Sequence, residues 1–356
     1  MLPALLFLIL LVDLGSRFLR IDPLTFRAWE ALIRYSAPGA PFEANRDYLN
    51  EKSYGDLAAM GNLPEMRQYR RESFSTDGYG FRNDRNIGSR PIAAILVGDS
   101  FSVGSGVDGD QTLSSQLGRL IGAGVYNAAG IEPTPAALIA IADRLKMKEG
   151  AVIYEYLERN DPPAIAAPRI DPNGPPARLL RKAKNSIFGY FSVSPFQILA
   201  GRFLKRLQND AVMPNPYSAN VVEGRFVSGD EMLFLPADVM RAEKRRPVSG
   251  EYWSRLRGML AARRLDLIVV LVPTNYTVYG APSEAGAYLA RLQEDLARRG
   301  VNALDLTPSF REEARLRLAR RDYLYWLDDT HWNPEGIALA ARLLQARMKP
   351  PKKGKF

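Results

Sequence analysis

Short apolar runs recur along this chain, each followed by a stretch in which apolar residues return every three or four positions. The runs are Ile92 to Val97, a segment near Val125, Ala151 to Tyr156, Leu267 to Val272 and Ala303 to Leu306. Rich in Val, Ile and Leu and bounded by glycine, proline or polar residues, they read as strands buried on both faces. Between them, segments such as Gln111 to Ile121, with Leu113, Leu117, Leu120 and Ile121, carry helical spacing. Strands alternating with helices predict an α/β protein, a five-stranded parallel sheet covered on both faces as a three-layer α/β/α sandwich. No internal repeat interrupts the pattern.

Two regions depart from it. The amino terminus is a leucine-rich run from Leu2 to Val12, extended less cleanly through Leu14 and Phe18. It is shorter than the roughly twenty apolar residues that span a bilayer and has no Ala-x-Ala cleavage site, so it reads as an uncleaved N-terminal membrane helix, with a buried helix as the plainer alternative. Arg17, Arg20, Arg27 and Arg34 all follow the run. By themselves they favour a cytoplasmic carboxyl side. Phe26, Trp29, Leu32 and Ile33 recur at helical spacing, as in an interfacial helix or an ordinary packing helix. The second region is a long insertion, 166–250, with proline-rich stretches and basic segments at Arg178 to Lys184 and Arg202 to Arg206. Its thirteen Lys and Arg against seven Asp and Glu supply +6 of the formal net charge of +9. Either it is a lid that meets an anionic polysaccharide or lipid, or it is a solvated cap. Its aromatic residues, Phe188, Tyr190, Phe191 and Phe196, follow no nucleic-acid-binding pattern.

At 356 residues and 46% hydrophobic, the chain can bury a substantial core. It contains no cysteine, which removes thiol nucleophiles, disulfides and zinc-thiolate sites, and one histidine, which leaves no metal-ligand spacing. Gly104-x-Gly106 lacks the rest of a dinucleotide fingerprint, no phosphate-binding loop occurs, and no cofactor is expected. If an imidazole acts as a base here, it is His331, in Asp328-Asp329-Thr330-His331-Trp332-Asn333-Pro334. Either aspartate could orient its ring. The best nucleophile is Ser100, in Gly98-Asp99-Ser100 directly after the run Ile92 to Val97, at the carboxyl end of a strand where open α/β sheets place reactive groups.

These segments resemble the SGNH/GDSL hydrolase superfamily. Gly98-Asp99-Ser100 is similar to its first block, Gly130 of Val125-Tyr126-Asn127-Ala128-Ala129-Gly130 to its second, Asn160 of Glu158-Arg159-Asn160-Asp161 to its third, and the Asp-Asp-Thr-His turn to its fifth. The resemblance implies a flavodoxin-like SGNH hydrolase fold, a triad of Ser100, His331 and Asp328 or Asp329, and an oxyanion hole of the Ser100 and Gly130 N–H groups and the Asn160 amide. Ser75 to Arg82, Tyr154 to Arg159, Val272 to Gly280 and Asp329-Thr330-His331-Trp332 resemble segments of membrane-anchored bacterial members, in particular the SGNH-like domains that O-acetylate alginate and related exopolysaccharides. Two departures stand out. In the alginate enzymes the Asp/His segment precedes the serine, whereas here the serine comes first, and Arg159 stands where many members carry glycine. Chain order selects Asp328 as triad acid and the four-residue local match selects Asp329; Asp329 is preferred, leaving Asp328 to face solvent or cap the helix after Pro334.

The resulting expectation is a membrane-anchored serine acyl-transfer enzyme, an O-acetyltransferase or O-acetylesterase acting on a cell-surface or exported polysaccharide, with its catalytic domain extracytoplasmic. A transferase in that compartment implies a partner membrane-bound O-acyltransferase, since acetyl-coenzyme A is absent there. A general GDSL carboxylesterase or lipase, or a non-catalytic polysaccharide-binding protein that kept the fold, are the alternatives. The expected organisation is 1–20 anchor or signal-like segment, 21–73 juxtamembrane region, 74–165 and 251–349 the two halves of the SGNH domain, 166–250 the basic insertion, and 350–356 a basic tail.

Overall fold

The structure, a computed structural model, describes residues 2–19, 40–61, 63–131, 133–161, 222–225, 229–242, 249–280 and 287–348. The chain divides into two units, one of residues 1–25 and 164–216 and one of residues 26–163 and 217–356. Of the first, the described part is helix α1 (Leu2–Leu19), where Leu5, Phe7, Leu8, Leu10, Leu11 and Val12 are exposed. No helix among the described residues is long and apolar enough to cross a membrane. The N-terminal membrane helix expected from sequence is therefore not supported: Asp13, Ser16 and Arg17 divide the apolar stretch before it reaches spanning length. The basic segments of the insertion around Arg178 to Lys184 and Arg202 to Arg206, the Phe26 to Ile33 pattern and the basic tail lie outside the described residues.

The second unit is built on five parallel strands, β3 (Ile92–Val97), β4 (Gly124–Asn127), β5 (Gly150–Leu157), β8 (Leu265–Val272) and β9 (Asn302–Asp305), in the spatial order β4-β3-β5-β8-β9. These are the five runs anticipated from sequence. Taken by their sequence rank the order is 2-1-3-4-5, the flavodoxin-like arrangement, in which the crossovers reverse direction between the first and third strands. Side chains alternate between two cores. Ala94, Leu96 and Ile153 face one with Leu113, Leu117, Ile337, Ala340 and Leu344; Ile95, Val97, Val152 and Tyr154 face the other with Leu138, Trp253, Leu256 and Leu289. Helices α4 (Leu113–Ile121), α10 (Thr307–Leu318) and α11 (Pro334–Arg347) cover the first face, and α5 (Pro135–Arg144), α7 (Glu251–Ala261) and α9 (Ala287–Arg298) the second. Burying every strand residue from Ala94 to Val97 and from Ala151 to Leu157 is what a sheet covered on both sides requires.

Two hairpins flank this sandwich. One pairs β1 (Asp47–Ser53) with β2 (Arg70–Ser75), and between them lies the short helix α2 (Asp56–Gly61). The other pairs β6 (Val222–Arg225) with β7 (Glu231–Phe234) and runs into α6 (Pro236–Ala242), the described part of the insertion. Met232 and Phe234 join the first core, and Leu233 packs on Leu57 and Ala58 of α2. The residues provisionally assigned to a juxtamembrane region thus belong, from Ala40 onward, to the same unit as the sheet.

Candidate active site

The reversal point of the sheet lies between the carboxyl ends of β3 and β5, where open α/β sheets leave a crevice. The turn after β3 puts Ser100 there, at the first position of the single-turn helix α3 (Ser100–Val103), with the Asp99 carboxylate accepting the Phe101 N–H at 3.0 Å as its cap. Gly98 is required by proximity: a Cβ there would lie 2.2 Å from Oε2 of Glu155, the residue that fills the space beneath the turn. Glu155 stands in the middle of β5 and is 3% exposed. Its Oε2 accepts the Asp99 N–H at 3.0 Å and the Ser102 hydroxyl at 3.1 Å, while Oε1 is buried without a hydrogen-bond partner. Burial, and secondarily the neighbouring Asp99, push this carboxyl well above its ordinary value.

His331 arrives from the turn before α11. That turn is pinned at both ends: Tyr325 bridges Trp332, Trp326 N–H donates to the His331 carbonyl at 3.2 Å, and the Asn333 side chain caps α11 by accepting the Glu335 and Gly336 N–H groups, each at 3.0 Å. Pro334 at the first helical position suits this cap. The imidazole is 3% exposed and lies 4.9 Å, centre to centre, from the Phe101 ring. Its Nε2 is 2.7 Å from Ser100 Oγ and its Nδ1 is 2.6 Å from Asp329 Oδ1. Asp329 Oδ1 also accepts the His331 backbone N–H at 3.2 Å, which fixes the carboxylate against the ring's own main chain.

The structure thus brings Ser100, His331 and Asp329 together in one chain of hydrogen bonds. Asp328 points elsewhere. It is wholly buried, and its carboxylate accepts the Gly55 N–H at 2.7 Å, the Gln68 N–H at 2.9 Å and Arg70 Nη1 at 2.8 Å. The expectation that the spare aspartate faces solvent or caps the following helix is corrected: Asn333 is the cap, and Asp328 ties the turn to the N-terminal segment. Burial raises the Asp328 carboxyl above its ordinary value, with the Arg70 charge pulling the other way.

The residues expected to supply oxyanion donors lie around the β3 turn, with the Gly130 N–H bonded inside it. Gly130, with a left-handed φ of 93° that favours glycine, directs its N–H at the Gly98 carbonyl at 3.3 Å. Asn160 donates an amide hydrogen to Asp99 Oδ2 at 2.8 Å. Block three is itself braced from beside it. Glu158 Oε2 accepts the Thr274 N–H at 3.1 Å and the Thr277 hydroxyl at 2.6 Å, and Arg159 pairs with Asp238 of α6 at 3.0 Å. Arg159 in place of glycine is therefore explained by the insertion: it anchors the described part of that segment to the rim of the site.

Several residues here were not anticipated. Arg70, on β2, donates to Asp328 and, through Nη2, to Asp329 Oδ2 at 2.7 Å, with its guanidinium 4.3 Å over the Trp326 ring. Asp56 of α2 accepts the Thr330 N–H and hydroxyl, each at 2.9 Å, and its Oδ2 is 3.9 Å from His331 Nδ1. Asp56, Asp329 and His331 form the one cluster of metal-ligand spacing among the described residues. Their donor atoms are engaged with one another and with Thr330, and the Arg70 cation faces the Asp329 carboxylate.

Residues 228–355 match the sequence model of a family described as an SGNH hydrolase-like domain, acetyltransferase AlgX. This is the family that the motif resemblance indicated, and the parallel sheet with its covering helices agrees with that fold. The matched stretch carries the Asp/His turn and the Val272 to Gly280 segment; Ser100, Gly130 and Asn160 precede it. No curated protein matches the chain.

Proposed function

We propose that the protein is a serine acyl-transfer enzyme of the SGNH type that moves an acyl group, most simply acetyl, on or off a polysaccharide. The single observation that carries this reading is the hydrogen-bonded series Ser100 Oγ, His331 Nε2, His331 Nδ1, Asp329 Oδ1. Ser100 Oγ attacks the acyl carbonyl carbon as its proton passes to Nε2, and Asp329 holds the ring in the tautomer that leaves Nε2 free to accept. The negative charge that develops on the carbonyl oxygen is met by the Ser100 N–H and the Asn160 side-chain amide beside the β3 turn, and by the Gly130 N–H once it turns away from the Gly98 carbonyl it bonds in this structure. The proton on Nε2 then goes to the departing alkoxide, leaving an acyl-serine. In the second half an incoming hydroxyl gives its proton to Nε2, attacks the acyl carbon and releases Ser100. A sugar hydroxyl makes the protein a transferase and water makes it an esterase.

The resemblance of Tyr154 to Arg159, Val272 to Gly280 and Asp329 to Trp332 to polysaccharide O-acetylating domains favours a polysaccharide acceptor. Envelope location with an extracytoplasmic catalytic unit, attachment through exposed apolar residues of α1, and an acyl donor supplied by a membrane-bound O-acyltransferase are parts of the same proposal, which rests on the motif resemblance and on exposed Leu5, Phe7, Leu8, Leu10, Leu11 and Val12. The basic insertion is proposed to hold an anionic acceptor through its charge.

The test is turnover of p-nitrophenyl acetate by the full chain, alone and with an oligouronate as acceptor. Ser100→Ala and His331→Ala are each expected to abolish turnover with the circular dichroism spectrum unchanged, and their losses should not add, because the two act as a unit. Acetylated oligouronate in the product identifies a transferase, whereas acetate alone identifies an esterase. Wild-type turnover by the Ser100→Ala protein would overturn the assignment, and an inert wild-type chain that still binds the oligouronate would favour the non-catalytic reading.

A further inference from the structure

We infer that Arg70 is a positioning residue of this site, holding Asp329 by the oxygen that His331 leaves free. The inference rests on the proposed triad and extends it to a part of the chain outside every recognised block. Asp329 has two oxygens: Oδ1 receives the His331 ring at 2.6 Å, and Oδ2 receives Arg70 Nη2 at 2.7 Å. A carboxylate gripped on one oxygen alone can rotate about its Cβ–Cγ bond and carry the imidazole with it. Gripped on both, it has one orientation. Arg70 is suited to this because its fork is planar and its other arm is fixed: Nη1 donates to Asp328 Oδ1 at 2.8 Å and to the Gln68 carbonyl at 2.9 Å. The arginine side chain is 6% exposed, and the two aspartate side chains are 0% and 3% exposed. All three groups are locked by packing.

The charge arrangement points the same way. Asp328 and Asp329 are consecutive buried carboxyls, and Asp56 faces His331 from α2, while Glu72 lies farther along β2 and holds the Gly106 N–H at 3.1 Å and the Ser53 hydroxyl at 2.9 Å. Arg70 is the cation that pairs with both aspartates of the histidine turn. Lysine, with one point of charge, could neutralise the pair and could not span it. The hairpin β1/β2 therefore belongs to the catalytic apparatus: it delivers the clamp that keeps the base aligned on Ser100.

Two variants and one double variant of the full chain, carrying no histidine tag, test this. Arg70→Lys is expected to lower kcat for p-nitrophenyl acetate by about a hundred-fold with KM changed less than about two-fold, the loss typical of a slight misplacement of catalytic groups. Because His331 is the only histidine, the low-field imidazole N–H proton in the NMR spectrum has one source. It should be present in the parent and in Ser100→Ala, and be shifted or broadened in Arg70→Lys. Arg70→Met leaves two buried carboxyls uncompensated and is expected to unfold readily. Arg70→Met combined with Asp328→Asn removes one charge of each sign, so it should recover the melting temperature without recovering kcat. Parental kcat and an unmoved N–H signal in folded Arg70→Lys would overturn the inference, as would recovery of kcat in the double variant. The NMR arm needs no substrate, so it reads the clamp even if the chain turns over no ester, and Ser100→Ala alone decides the nucleophile.

Discussion

Two carboxyl pairs flank Ser100 and are held in opposite ways. On the His331 side, Asp328 and Asp329 share a guanidinium, and Asp329 also faces the imidazole. On the β5 side, Asp99 and Glu155 meet without a cation among the described residues: Glu155 is held by the Asp99 N–H and the Ser102 hydroxyl, and Asp99 by the Phe101 N–H and the Asn160 amide. Burial raises the Asp328 carboxyl as well, with the Arg70 charge pulling the other way, whereas at Glu155 burial and the neighbouring Asp99 both push upward. The proposed base thus has an arginine-compensated pair behind it, and the proposed nucleophile sits above a carboxyl that its surroundings drive toward the neutral form. One fold thus uses buried acids for two purposes, and what sorts them is whether an arginine reaches in.

The largest expected effect comes from breaking the charged side. Asp329→Asn should lower turnover by on the order of ten-thousand-fold, because the amide can favour the wrong imidazole tautomer while the geometry stays intact. Asp328→Asn should cost far less in kcat and show its effect as a lowered melting temperature, since its carboxylate accepts two backbone N–H groups and Arg70 rather than the ring. Equal kcat losses in the two variants would erase the distinction between them.

A smaller effect is expected on the neutral side. Gly98→Ala forces a methyl group to within 2.2 Å of Glu155 Oε2. Relief requires the β3 turn to shift, with a destabilisation of about 1–3 kcal/mol in denaturant unfolding and a parallel loss of turnover. Pairing it with Glu155→Gln should recover little of either, because glutamine fills the same volume.

The smallest effect sharpens the comparison most. Glu155 takes up a proton on folding, so its contribution is present at low pH and is lost as pH rises from its ordinary value near 4.5 toward its raised value in the folded protein. Glutamine has no such dependence. The melting temperature of Glu155→Gln relative to the parent should therefore climb as the pH is raised above the ordinary carboxyl value. A constant difference across that range would mean that Glu155 is ionised throughout and that the two pairs are alike.

The sheet was legible because all five strands announce themselves as apolar runs of the right length, and their alternation with helical segments leaves few topologies. Ser100, Asn160 and His331 were legible through short motifs whose partners are local: a strand, a turn and a helix start. Arg70, Gln68 and Asp56 were not. Their partners are near residue 330; Gln68 and Arg70 sit in the polar stretch Arg67-Gln68-Tyr69-Arg70-Arg71-Glu72 and Asp56 in Tyr54-Gly55-Asp56-Leu57, and neither stretch carries a motif. Alternation did hold a trace of them, since Arg70, Glu72 and Phe74 share one face of β2 and all are buried. Glu155 left a plainer signal, an acid inside the otherwise uncharged run Ala151 to Leu157, where an unpaired carboxyl would be costly unless neutral. The spare aspartate was misplaced because a turn's sequence does not say which neighbour will cover it.

The bonds from the hairpin to the histidine turn also set a clock. Arg70 reaches Asp328 across 258 positions, Asp56 reaches Thr330 across 274, and Ser100 reaches His331 across 231. A chain emerging amino end first presents Ser100 roughly 10–50 s before its base has been synthesised, at ordinary elongation rates. Throughout that interval the serine is only an alcohol on a loop. Under the proposed mechanism reactivity would therefore arrive in one step, when the histidine turn meets the hairpin, and a chain lacking that turn would be silent toward esters.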